Sequence, residues 1–66
     1  MGVPALFTGR RVKQGTVYRS RVTSREYLVQ DNDNEIVVVL ANGRTLYRGR
    51  SKHNALFLLE LEDIAA

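Results

Sequence analysis

The stretch Ile36-Val37-Val38-Val39-Leu40-Ala41, Asn42-Gly43, Arg44-Thr45-Leu46-Tyr47-Arg48 leaves this chain the least freedom. A β-branched run that meets Asn-Gly and returns as an alternating run predicts a hairpin, because both central residues of a type I′ turn need positive φ. A two-residue loop then sets the register. Ala41 faces Arg44, Val39 faces Leu46 and Val37 faces Arg48, while Leu40 with Thr45 and Val38 with Tyr47 form the other face. In this register Leu46 packs inward with Val39, Arg44 and Arg48 reach the rim of the core face, and Tyr47 projects from the opposite face. Residues 36–41 are apolar on both faces, and so are residues 55–59. In an open sheet of this size one face meets water, so that face needs a cover. Barrel closure, the segment Val3-Pro4-Ala5-Leu6-Phe7, or a second subunit can supply it.

Upstream, residues 16–22 and 25–30 are rich in Val, Thr and Tyr and predict a second hairpin around Thr23-Ser24. Asp31-Asn32-Asp33-Asn34 predicts a polar turn, since these side chains bond to nearby backbone amides. The same oxygens suit calcium, but the loop lacks the Gly at position six and the Glu at position twelve of a helix-flanked calcium loop. The C-terminal segment reads two ways. Ser51 suits the cap of a helix over residues 52–64, a stretch rich in Leu, Glu and Ala. On a helical wheel, however, its apolar residues spread all round, whereas Phe57, Leu59 and Leu61 alternate with Leu58, Glu60 and Glu62. A strand over 55–61, after a turn at 50–54, is the expectation, with the helix as the competing reading.

Five short strands in 66 residues predict one all-β domain, 1–66, with residues 1–9 as an N-terminal arm. The expected architecture is a small five-stranded barrel of SH3-like or OB-like type. Val12-Lys13-Gln14-Gly15-Thr16-Val17 resembles the opening of a KOW-type or Tudor-type SH3-like barrel, where a Val-x-x-Gly-x-Val turn leads the first hairpin. The resemblance implies the same small barrel.

A chain this short buries only about 60% of its unfolded surface. Its stability should be on the order of 3–10 kcal/mol. There is no cysteine to form a disulfide, and the single His53 cannot build a zinc site, so no metal or cofactor is expected. Self-association is the remaining route, which makes a homodimer an expectation. The N-terminus has no signal-peptide pattern, and Leu6 stands where a myristoylation signal requires Ser or Thr. No apolar run is long enough to cross a bilayer. The expectation is a soluble cytoplasmic protein with no membrane partner.

Charge is segregated along the chain. Residues 1–25 carry Arg10, Arg11, Lys13, Arg19, Arg21 and Arg25 and no acid; residues 26–43 carry Glu26, Asp31, Asp33 and Glu35 and no base. Arg44, Arg48, Arg50 and Lys52 follow, and the tail is acidic through Glu60, Glu62 and Asp63. Eight of the ten cations are arginine, the side chain suited to bidentate phosphate contact. Joined on one face, the two basic blocks predict a nucleic-acid-binding protein, for DNA or RNA, with a regulatory or architectural role. The expected contact residues are Arg10, Arg11, Lys13, Arg19, Arg21, Arg44, Arg48, Arg50 and Lys52, with Tyr18 and Tyr47 as stacking groups for bases. Along β-strands, though, Arg19 and Tyr18 fall on opposite faces. Enzyme signatures are lacking: His53 has no nucleophile or carboxylate arranged around it, and Gly9, Gly15, Gly43 and Gly49 form no nucleotide-binding loop. Glu60 and Glu62 would share a strand face, where a solvated pair is the commoner outcome than a catalytic one. Catalysis is therefore not expected. The alternative function is a protein-interaction module, such as a small regulatory subunit docking on a larger enzyme or polymerase.

Overall fold

The computed structural model describes residues 6–66, as five strands and a helix: β1 (Phe7–Val12), β2 (Gly15–Ser20), β3 (Glu26–Asp31), β4 (Ile36–Leu40), β5 (Thr45–Gly49) and α1 (Lys52–Ala65). The strands form one antiparallel sheet in the order β1-β2-β3-β4-β5, each paired with its sequence neighbour. The fold is mostly β, not all-β as expected: the sheet has five strands, but β1 takes the place of the strand expected over 55–61. The expected barrel does not close: the sheet is open, with β1 and β5 at its edges, and the C-terminal segment is helical. Residues 7–9, expected in an arm, belong to β1, and Val3, Pro4 and Ala5 lie outside the described residues.

Each departure has a local cause. β1 contains a glycine and two arginines, a poor β composition that an edge strand tolerates because one side of its backbone stays in water. The β1–β2 hairpin does turn at Lys13-Gln14, between Val12 and Gly15. Gly15 is required there by close approach, since a Cβ would strike the carbonyl oxygen of Val29. The β4–β5 hairpin has a different turn from the one Asn-Gly suggests. Leu40 accepts from Gly43 N–H at 2.9 Å and donates to the carbonyl of Arg44 at 2.8 Å, and Gly43, not Asn42, has positive φ (91°). Ala41, Asn42 and Gly43 thus form a three-residue loop, and the ladder shifts between Val38 and Val39 so that Leu46 is an extra residue in β5. The pairs Val38 with Tyr47 and Val37 with Arg48 are as expected; Val39 faces Thr45 instead of Leu46. The bulge lets Leu46 and Tyr47 both pack against the core.

The core face also differs. It is the even face of β4, with Ile36, Val38 and Leu40, and Tyr47 lies on it instead of opposite to it. Because β4 is apolar on both sides, its sequence alone could not choose. α1 makes the choice by covering β4 and β5 with Ala55 and Leu59, both fully buried beside a fully buried Val38. Phe7, Tyr18, Tyr27 and Val29 complete the core, with Phe7 edge-on to Tyr27 at 6.1 Å between ring centres.

α1 starts at Ser51, whose side chain accepts from Asn54 N–H at 3.1 Å. Its buried stripe is Ala55, Leu59 and Asp63, spaced four residues apart. The third member of the stripe is an acid, and Phe57, Leu61 and Ile64 lie exposed on the opposite side, which is why the apolar residues spread round the wheel. Asp63 is buried but fully partnered. Its carboxylate accepts from Ser20 Oγ (2.6 Å), Thr23 Oγ1 (2.6 Å) and the Tyr27 hydroxyl (2.7 Å). Ser20 Oγ and Thr23 Oγ1 in turn accept backbone N–H groups of the β2–β3 turn, where Ser24 holds a φ of 64°. The knot ties the end of α1 to that turn. Burial pushes the Asp63 carboxyl up, but the three hydroxyl donors and nearby Arg25 outweigh it and hold the carboxyl below its ordinary value. Burial, reinforced by the bond to Asp63, pushes the Tyr27 hydroxyl up to about 12. No helix of the described residues is long and apolar enough to cross a membrane.

Candidate nucleic-acid interface

The face of the sheet away from α1 carries Arg10, Arg19 and Arg48 around an apolar middle of Val17, Leu28, Val37 and Val39. Val37 is only 6% exposed there, flanked across the ladder by Gln30 and Arg48. Among the described residues no barrel wall covers this second face; the long side chains of Gln30 and Arg48 beside Val37 have apolar stems suited to such cover, and Val17, Leu28 and Val39 are half-buried. Arg10 faces Val17, and Thr8 faces Arg19, so the two arginines are diagonal neighbours on adjacent strands. Glu26 lies beside them, 3.6 Å from Arg10, and Glu35 lies 3.9 Å from Arg48. Both ion pairs are solvent-exposed and leave the guanidinium groups open to other partners.

All ten cations are exposed, but they do not gather on one face. The linear strand order puts the first basic block, Arg25 apart, on and around β1 and β2 and the second on and around β5, at opposite edges of the sheet. Lys13 sits in the β1–β2 turn and Arg21 just after β2, at the two ends of the same ribbon as Arg10 and Arg19. Arg50 lines a recess with Asp31, Asn32, Asp33, Asn34 and Glu35, so its surroundings are acidic. That turn is the polar turn the sequence predicts, closed by Asn32 Oδ1 accepting from the N–H groups of Asn34 and Glu35. Arg44 lines another recess, of mixed charge, with Arg25, Glu26 and Glu62. Glu60 and Glu62 lie on the helix, where residues two apart do not face each other. His53 is exposed in the first turn of α1.

The tyrosines lie away from this outer surface. Tyr18 is 4% exposed in the core, and Tyr47 packs against the core with its hydroxyl accepting from Ser51 N–H at 3.2 Å. Tyr18 presents no open ring face on which a base could stack, and Tyr47 is half-buried on the α1 side of the sheet.

Arg11 and Lys52 are the exception to the separation of the basic blocks. Arg11 alternates with Arg10 and so faces the α1 side of β1, where it lines a cleft of about 110 Å³ with Lys52, Gly15, Thr16, Tyr18, Val29 and Asp31. Thr16 and Asp31 were not among the residues expected at a site. The missed signal is the β1–β2 register, which places Arg11 opposite Thr16 once the turn at Lys13-Gln14 is recognised. Comparison of the chain with protein-family models, curated proteins and solved structures gives no match.

Proposed function

We propose that the protein is a non-enzymatic polyanion binder whose β1–β2 ribbon contacts the phosphates of nucleic acid. One observation carries this reading. Arg10, Lys13, Arg19 and Arg21 stand exposed along two paired strands and their ends, with one exposed carboxylate, Glu26, in ion-pair contact. Arg48 extends the same face from the far edge. Contacts of this kind neutralise phosphate and release counterions without reading sequence. With the tyrosines turned inward, the reading predicts no preference for single strands through stacking. A fluorescence-anisotropy titration against duplex DNA, single-stranded DNA and single-stranded RNA, at about 50 and 200 mM salt, tests it. Binding that weakens steeply with salt is expected. Arg10→Ala with Arg19→Ala should weaken it across all sequences and flatten the log–log salt slope by up to about two. Absence of binding at low salt, or an unchanged affinity in the double variant, overturns it.

A second reading, docking through α1, has its own observation. Phe57, Leu61 and Ile64 are 55%, 45% and 75% exposed and form a stripe at i, i+4 and i+7, opposite the buried stripe. Lys52 and His53 open the helix while Glu60 and Glu62 lie near its end, which is unfavourable with the helix dipole. A second copy packed antiparallel sets these basic and acidic ends against each other. Sedimentation velocity on the wild type and Leu61→Asp distinguishes the outcomes: a dimer abolished by the substitution supports self-association, and a monomer at all concentrations removes it.

A further inference from the structure

We infer that the cleft between the β1–β2 hairpin and the start of α1 binds a phosphate group. The groups involved are Arg11, Lys52, the Thr16 hydroxyl and the Tyr18 hydroxyl. This goes beyond the polyanion reading, because the cleft lies on the α1 side of the sheet and can stand if that reading falls.

The tyrosines carry the argument. Each of the three packs in or against the core, and two have their hydroxyls engaged, Tyr27 on Asp63 and Tyr47 on Ser51 N–H. Tyr18 is 96% buried, yet its hydroxyl has no hydrogen-bond partner among the described residues. No fully buried polar side-chain atom among them lacks a partner, which fits a Tyr18 hydroxyl that solvent reaches. The opening that Tyr18 lines is the cleft. A buried tyrosine whose hydroxyl has no partner among the described residues thus lines a pocket together with a guanidinium and an ammonium.

Size and charge suit one phosphate. About 110 Å³ of space accommodates a single tetrahedral oxyanion but not a nucleobase with its sugar. Arg11 and Lys52 contribute two positive charges and Asp31 removes one, leaving the lining at +1. Arg11 forms no ion pair with Asp31 or any other acid among the described residues, so its donors remain available. The shared chemistry is a phosphate dianion or monoanion, either free in solution or at the end of a nucleic-acid strand. Those two sources differ in what else they touch: a strand end would place its next phosphates near Lys13.

Backbone amide shifts in an NMR titration test the inference with inorganic phosphate as the probe. Saturable shifts at Gly15, Thr16 and Lys52 are expected. Arg11→Gln and Tyr18→Phe should each weaken the binding roughly tenfold, the loss of one charge-assisted hydrogen bond. Asp31→Asn should tighten it. Shifts that never saturate, or that spread evenly over all cations, overturn the site. So does unchanged affinity in Tyr18→Phe, whose fold is checked by its own amide spectrum. Repeating the titration with an oligonucleotide bearing a 5′-phosphate, and with the same strand lacking it, separates the two sources. Tighter binding of the phosphorylated strand assigns the strand end, and equal binding of the two strands assigns the free anion. Duplex binding that survives loss of the cleft leaves the β1–β2 ribbon reading intact, and phosphate binding without duplex binding removes that reading while the cleft stands.

Discussion

The two ends of α1 treat charge in opposite ways. At the C-terminal end, Asp63 is buried, and each of its carboxylate oxygens is taken up by hydroxyl groups from β2, β3 and the turn between them. At the N-terminal end, Lys52 and Arg11 face water across a cleft, and the hydroxyl of Tyr18, which also lines it, has no partner among the described residues. A carboxylate taken out of water is tolerable only when fully paired, so the first site is committed to holding the fold. Exposed cations and a free donor carry no such constraint. They remain available to something outside the chain. Satisfied polar groups here mark structure, and unsatisfied ones mark the place to look for a ligand.

The largest expected effect comes from breaking the closed end. Asp63→Ala leaves three hydroxyls without their acceptor and frees the β2–β3 turn, at a cost of about 3–5 kcal/mol. In a domain this small that approaches the whole stability, so urea unfolding should show a strongly lowered midpoint or no folded baseline. A loss under about 1 kcal/mol would mean the knot does not hold the helix.

The pH dependence is the next largest effect. The Asp63 carboxyl sits below its ordinary value of 3.8 when folded, so its contribution is complete above that value. It is lost as pH falls through the lower folded value. Tyr27 runs the other way: raised from 10.0 to about 12, it contributes fully below pH 10 and loses that contribution as pH rises towards 12. The alkaline loss is on the order of 2–3 kcal/mol. Thermal melts across both ranges should show it, and Tyr27→Phe should remove the alkaline limb.

Two conservative substitutions then sharpen the comparison. Tyr27→Phe removes a hydrogen bond to a charged acceptor and should cost about 1.5–3 kcal/mol at neutral pH. Tyr18→Phe, equally buried, removes a hydroxyl without a partner among the described residues and should change stability by less than about 0.5 kcal/mol. Equal losses in the two variants would erase the distinction between the ends. Gly15→Ala, at the wall of the cleft, sets a Cβ against the Val29 carbonyl and should cost about 1–3 kcal/mol by urea unfolding.

Much of the sheet was legible locally. Residues 36–48 read as a hairpin, 16–30 as another, and 31–34 as a side-chain-closed turn, because β-branched runs and turn residues act over a few positions. The alternation that sets Arg19 and Tyr18 on opposite faces was also readable from the two-residue period of any strand, but not that Tyr18, expected to stack on bases, is the inward one. The candidate site was less legible. Its cations were visible, but their grouping was not, because adjacency of β1 and β5 required a closure that the open sheet does not make.

What the sequence determined by itself, then, was the supply of strands, turns and exposed cations, all set by short-range backbone preferences and solvation. Three matters were decided only by tertiary structure. α1 selected the Ile36, Val38 and Leu40 face of β4 as the core, a choice that a strand apolar on both sides cannot make alone. Asp63 became the end of a buried stripe because hydroxyls more than thirty residues away came to meet it. Arg11 came to face the same cleft as Lys52 because the start of α1 lies across from the β1–β2 hairpin. The reason is the same in each case: burial and charge pairing between residues distant in sequence depend on which surfaces meet, and no local preference encodes that.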